Sequence, residues 1–429
     1  MKYLPIDPQL FVNNRSLFVE KLLKNSSAIF NSNDIMPTNA DGAMPFRQNN
    51  DLFWLSGVDQ EESILVISPN HPNKDMREVL FLKETNEHIA IWEGAKLTKE
   101  DAFKTSGIRT VYWLDQLEKK LAEILDKTDV IYLNKNTHSR STSEVQTRDD
   151  RFRLKIQKSF SKKQFNEAAP IMHGLRAIKS QIEVDLMQKA CDITEKGLRR
   201  ILPFIKPGIM EYEIEAELMH EFLSNRATGF AYQPIIGSGI DSCVLHYIDN
   251  NKACKEGDIL LMDFGAEYAN YASDLTRTVP VSGKFSKRQK QVYNSVLHVM
   301  KEAIKMLTPG TNFKHYNKEV GQIMESELIQ LNLLDKHGVQ KQDPKKPLYR
   351  KYFMHGTSHY IGLDTHDVGS MEWEMREGMV FTCEPGIYIL EEELGIRIEN
   401  DILVTANGPV DLMQNIPVEA EEIESLMQA

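Results

Sequence analysis

Of 429 residues only four are cysteine, Cys191, Cys243, Cys254 and Cys383, and no two stand in Cys-x-x-Cys spacing. That excludes a thiolate metal knuckle and a paired-cysteine redox centre, and points to a reducing compartment, the cytoplasm. Nowhere do 18 apolar residues follow one another, so no segment reads as a membrane span. The opening MKYLPIDPQLFVNNRS lacks a basic segment followed by an apolar one, and no secretory leader is expected. Lys and Arg number 51 against 62 Asp and Glu, a net charge of −11, and no stretch concentrates basic residues with aromatics. The footprint of a nucleic-acid or anionic-membrane binder is therefore missing. Low-complexity tracts are also absent, so disorder is not expected.

What is present is enough apolar sequence, 41 %, for a sizeable core, in a chain longer than one core usually supports. Residues 1–172 alternate short β-rich runs with helical patterns: ESILVISP (62–69), REVLFLK (77–83), HIAIWEG (88–94) and TDVIYLN (128–134), with the amphipathic LDQLEKKLAEIL (114–125) before the last. That alternation predicts an α/β domain with a central sheet. Residues 138–169 turn polar and lose strand periodicity, which puts a boundary near 170. Beyond it, long helices can start on Ser180 with Glu183 and on Ser286 with Gln289, each a capping-box pair. Strand pairs rich in Gly and Pro lie between and after them, so residues 173–429 read as an α+β domain, helices over an antiparallel sheet.

Two of those strand pairs carry carboxylates where a core wants Val or Ile. ILLMDFGAEYANYASDLTRTVPV (259–281) holds Asp263 and Asp274, and GMVFTCEPGIYILEEELGIRIENDILVT (378–405) holds Glu384 and Glu399. With the first turn centred on Tyr268 and Ala269, Asp263 would face Asp274. With the second centred on Glu391 and Glu392, Glu384 would face Glu399, unless Pro385 and Gly386 insert a bulge. Like charges opposed in a sheet destabilise it. A single strand carboxylate is usually exposed or paired, here with Arg277 or Arg397, but four at matched spacing call for a cation. MHGTSHYIGLDTHD (354–367) supplies His355, His359 and His366 just upstream, and VLHYIDNN (244–251) supplies His246. Carboxylates with imidazole and no thiolate suit manganese, with zinc, cobalt and iron as alternatives. Five ligands exceed what one ion needs if it keeps a water, so two bridged ions fit better.

These residues resemble a family. MDFG with SDLTRT, HGTSHYIGLDTHD, CEPGIY and RIEND resemble the pita-bread metallopeptidases, and PFRQNNDLFWLSG (45–57), VLHYIDNN and RAIKSQIEVDLMQKA (176–190) narrow the likeness to aminopeptidase P, with a creatinase-like N-terminal domain. The resemblance implies a pseudo-symmetric pita-bread domain and release of the N-terminal residue from peptides with proline second. It implies Asp263, Asp274, His359, Glu384 and Glu399 as ligands of two divalent ions, most often Mn2+, with Asp274 and Glu399 bridging. It places His246, His355 and His366 against the substrate and gives Arg397 a ligand carboxylate to hold; Glu384, at such a centre, can also carry the proton of the attacking water to the leaving nitrogen. Tyr388, with His355, is a candidate wall for the proline ring, although a tyrosine on an apolar strand more often packs. Homodimers or homotetramers are implied, with Trp92 loosely matching a residue that reaches a neighbouring site. Prolidase, which cleaves only dipeptides, and a non-catalytic pita-bread scaffold are the alternatives; retention of all five ligands argues against the scaffold.

Overall fold

Six runs in the first half pair into one mixed sheet: β1 (Ser26–Asn31), β2 (Ile64–Ile67), β3 (Glu78–Leu82), β4 (Thr110–Trp113), β5 (Val130–Leu133) and β6 (Gln164–Glu167), in the order β4-β3-β2-β1-β5-β6. The computed structural model describes residues 2–428, and this sheet belongs to the first of two units, Tyr3–Arg176 and from Ala177 onward. β1, β2 and β5 are buried on both faces, which is why β2 and β5 read as unbroken apolar runs rather than as alternation. Ile29, Val66, Val79, Phe81, Ile131 and Leu133 pack with Leu121, Ile124 and Leu125 of the helix Leu117–Asp126.

Two expectations fail in this unit. HIAIWEG is not a strand but the helix Glu87–Glu93, started by the Asn86 side chain accepting from the Ile89 N–H and ended at Gly94 with φ 80°. Its apolar residues have no sheet to join, and Ile91 and Trp92 are 78 % and 79 % exposed. The polar stretch after 138 holds both the helix Arg148–Ser159, on a Thr147–Asp150 capping box, and the edge strand β6. β6 shows no apolar signature because an edge strand is covered on fewer sides.

In the second unit the helices Gln181–Ile201 and Lys287–Lys305 start on the capping boxes read from the sequence. Its strands are β7 (Gly229–Phe230), β8 (Ile235–Ser238), β9 (Ile259–Phe264), β10 (Ala266–Tyr268), β11 (Tyr271–Ala272), β12 (Leu275–Pro280), β13 (Val380–Cys383), β14 (Gly386–Ile389), β15 (Leu394–Arg397), β16 (Asn400–Thr405) and β17 (Gly408–Asp411). β9 lies between β8 and β12, and β16 lies between β13 and β17.

The first hairpin turns one residue later than expected. Ala269 and Asn270, with φ 54° and 67°, form the two-residue turn, as the twist of a tight hairpin requires. Asp263 is therefore paired with Thr276, and Asp274 falls on the same face two positions away, not opposite. Opposite Asp274 stands Gly265, where a Cβ would lie 1.7 Å from the Ser273 carbonyl oxygen. The second hairpin keeps the expected register: Cys383 pairs with Asn400 and Gly386 with Arg397, so Glu384 does lie across from Glu399 and Pro385 shifts nothing. The ladders are interrupted at Asp274 in the first hairpin and between Glu384 and Glu399 in the second, while Asp263 stays paired. The hairpins are joined edge to edge, the Glu399 N–H donating to the Thr276 carbonyl (3.1 Å) and the Thr278 hydroxyl to the Arg397 carbonyl (2.9 Å).

The first unit generates a pH prediction. Asp149, buried under Asn31 at the end of β1 and repelled by Asp51, has its carboxyl pushed up by burial to about 7 from an ordinary 3.8. Its protonated form is the one the fold favours, so its contribution is full below about pH 4 and is lost as pH rises through 7. Asp149→Asn is expected to stabilise the protein by roughly 2–4 kcal/mol at pH 8 and by nothing near pH 4. Denaturant midpoints across that range check it, and a pH-independent difference would refute it.

Candidate metal centre

Asp274 and Glu399 lie at the bottom of the cluster, 5 % and 1 % exposed, on the two interrupted strand pairs. Burial, and then the neighbouring carboxylates, push both carboxyls well above their usual range. The Asp274 N–H, released from the ladder, donates to Asp401 Oδ2 (3.0 Å), itself fully buried and raised by burial and by Asp274. Thr276 Oγ1 donates to Glu399 Oε2 (2.7 Å), fixing one oxygen of that carboxylate.

His359 reaches this floor from the loop after the short helical turn Leu348–Lys351. Its Nδ1–H can donate to the Tyr360 carbonyl (3.0 Å), which turns Nε2 inward, 3.5 Å from Asp274 Oδ2 and 3.6 Å from Glu384 Oε1. Ligand atoms of Asp274, His359 and Glu399 all lie within 4.8 Å of one another. Donors about 2.0–2.2 Å from one ion stand at most about 4.4 Å apart, and the 3.5 Å between His359 Nε2 and Asp274 Oδ2 lies within that reach. The donor set of oxygen and imidazole nitrogen, crowded with negative charge, suits a divalent one. Glu384 is held at the wall by its N–H donating to the Thr357 carbonyl (2.8 Å).

Asp263 sits differently. Arg397 Nη2 donates to its Oδ2 (2.6 Å) and the Tyr232 hydroxyl lies 2.5 Å from its Oδ1. Arg397 is the buried cation of the site: its Nε donates to Thr276 Oγ1 (3.1 Å) and its Nη1 to the Tyr388 hydroxyl (2.8 Å). Arg277, the other arginine weighed as a partner, bonds backbone carbonyls and Asn400 Oδ1. Tyr388 hands the chain on to His355 Nε2 (2.8 Å), whose Nδ1–H can donate to the Gly356 carbonyl (2.8 Å). Burial, then Arg397, lower the His355 pKa to about 4, so this ring is neutral near pH 7. Both its nitrogens are engaged, and its ring packs edge-on against Phe353 and Tyr388. Tyr388 also packs with Ile235, Tyr247 and Leu261, so the packing role weighed for it is real and coexists with its hydrogen bonds.

His366 stacks edge-on against His359, centroids 4.5 Å apart, and is exposed; His246 is on an exposed turn near enough to His355 to oppose its charging. The histidine loop is fixed from below by Asp367, ion-paired with Lys179 at 3.3 Å with both side chains 1 % exposed. Neither Lys179 nor Tyr232 was among the expected site residues. Lys179 stands in the quoted run RAIKS, directly before the Ser180 helix cap; Tyr232 lies in AYQP and had no signal.

The sequence matches Metallopeptidase family M24 over residues 185–406 and the Aminopeptidase P, N-terminal domain over residues 11–132. It is 32 % identical over 437 residues to the Xaa-Pro aminopeptidase of Escherichia coli K12, covering 99 % of this chain and 98 % of that one. The Xaa-Pro aminopeptidase of Haemophilus influenzae is 32 % identical over 429 residues, covering 97 % and 96 %. Among solved structures, a zinc-substituted E. coli aminopeptidase P in complex with product shares 31 % identity and a TM-score of 0.87 over 99 % of both chains. The same enzyme with the inhibitor Pro-Leu gives the same values.

Removing Arg397, itself buried, leaves the half-buried Asp263 charge without its cation. Arg397→Met is expected to cost the metal-free protein roughly 3–5 kcal/mol, read from denaturant unfolding. An unchanged midpoint would mean that the pair contributes nothing to the fold.

Proposed function

Because the chain belongs to metallopeptidase family M24 and carries the N-terminal domain of aminopeptidase P ahead of a pita-bread domain, we propose that the cluster around Asp274, His359 and Glu399 is the divalent-metal centre of its hydrolytic site. The chain is an Xaa-Pro aminopeptidase, which releases the residue before proline. The observation that carries the metal reading is the burial together of Asp274 and Glu399 with an inward-turned His359 nitrogen, an arrangement whose excess negative charge asks for a cation. Asp263, Asp274, His359, Glu384 and Glu399 would hold two ions, with manganese the first choice for so oxygen-rich a set. Bound there, divalent cations supply a water acidic enough to attack near neutral pH and polarise the scissile carbonyl.

The protein's own groups do the rest. Glu384, less buried than Asp274 and Glu399, takes the proton of the attacking water and returns it to the leaving proline nitrogen. His366 and His246, at the exposed rim, donate to the carbonyl oxygen as it gains charge. The neutral ring face of His355, held by Tyr388, forms a wall for the proline ring, which offers no N–H to recognise. Arg397 holds Asp263 in place through Nη2. The Pro-Leu inhibitor of the E. coli relative is what would remain of an Xaa-Pro-Leu tripeptide after cleavage, which supports tripeptides and longer peptides as substrates. Homodimers or homotetramers follow from the resemblance, and the exposed Trp92 is the residue such an assembly would cover. Four free thiols support a cytoplasmic setting.

Chelation is expected to abolish hydrolysis of Xaa-Pro-Xaa tripeptides and manganese to restore it; cleavage of dipeptides alone would favour prolidase, and indifference to chelator would favour a scaffold. Asp263→Asn should lose metal content and activity together. His366→Ala should keep its metal while turnover falls about 10²–10³-fold; loss of metal there would mean that His359 and His366 exchange roles.

A further inference from the structure

Tyr232 is placed with unusual determinacy for a loop residue. It lies in the short link between β7 and β8, which is tied down on both sides: Ala231 N–H donates to the Gly265 carbonyl (2.8 Å), and three residues after Tyr232, Ile235 pairs with Asp263 in the ladder. The link thus crosses the interruption at Gly265, and the phenol enters the gap. There its oxygen is 2.5 Å from Asp263 Oδ1 and 2.5 Å from Asp274 Oδ1. One hydroxyl proton spans two carboxylates whose mutual repulsion it reduces.

The remaining oxygens are thereby aimed. With Oδ1 of Asp274 held by the phenol, Oδ2 is the atom turned to His359 (3.5 Å); with Oδ1 of Asp263 held, Oδ2 is the atom met by Arg397 (2.6 Å). A tyrosine donor that fixes which oxygen each carboxylate presents does for these two ligands what a carboxylate does for a metal-bound histidine. We propose that Tyr232 is a positioning residue of the metal centre, its hydroxyl setting the orientation of Asp263 and Asp274 and so the affinity of the site for divalent ions. This rests on reading Asp263 and Asp274 as ligands.

The variant Tyr232→Phe keeps the ring and removes only the donor. Manganese affinity, measured by competition with a graded chelator and by metal content after dialysis, is expected to fall about 10–100-fold, the range for loss of a group that orients a ligand. The manganese-induced rise in melting temperature should need correspondingly more metal, while turnover at saturating manganese falls by less than the affinity does. Tyr232→His, which retains a ring donor, should recover part of the affinity, a result that mere loosening of the loop would not give. Should the Phe variant be too unstable without metal, purification in excess manganese followed by the same dialysis series gives the affinity. Wild-type affinity and stoichiometry in Tyr232→Phe would overturn the role of Tyr232 alone. A wild-type protein that takes up no divalent ion would overturn the metal-centre reading and this role with it.

Discussion

The second unit is organised around too much negative charge in one place. Asp263, Asp274, Glu384 and Glu399 converge with Arg397 as the buried guanidinium among them, while Arg277 spends its donors on carbonyls and an amide. Desolvating a carboxylate costs several kcal/mol unless it is compensated, and the surroundings of the cluster are forms of compensation. The Thr276 hydroxyl, the Tyr232 phenol and the released Asp274 N–H on Asp401 meet excess oxygens, and the inward face of His359 leaves room for a cation.

The same constraint explains the backbone. A continuous ladder would leave no gap for a side chain from outside the hairpin to enter, and both ladders break beside a carboxylate, at Asp274 and between Glu384 and Glu399. At Gly265 the break needs a residue without a side chain, because the Ser273 carbonyl occupies the space of a Cβ. At Glu384 it is produced by the following proline, which has no N–H to give. Two sequences with little in common thus each interrupt a ladder beside a carboxylate, by different means.

Much of this was legible in the sequence because it violates strand chemistry. Asp and Glu are depleted in strands, so four of them in two apolar hairpins stand out, and the Ser180 and Ser286 caps are local enough to read directly. The register of the first hairpin was missed by one turn residue; Asn270, a residue that tolerates positive φ, was the available clue. HIAIWEG was misread because apolar content alone does not separate a strand from a short helix capped by Asn86. Tyr232 could not be read at all: a loop tyrosine acquires its meaning from the two strands that pin its neighbours, and that is a property of the fold.

The join between the hairpins carries one more consequence, for how the protein comes into being. Thr276 and Glu399 are 123 residues apart, yet each completes the other's surroundings. A chain emerging from the ribosome has Asp263 and Asp274 long before Glu384, Arg397 and Glu399, and contacts of such long range close late. During that interval the first hairpin has its two aspartates without the guanidinium or the second carboxylate pair, so it cannot assemble the cage. If these carboxylates hold the cation as proposed, its capture waits for synthesis through Glu399, and a chain terminated before that residue would carry only part of the proposed ligand set.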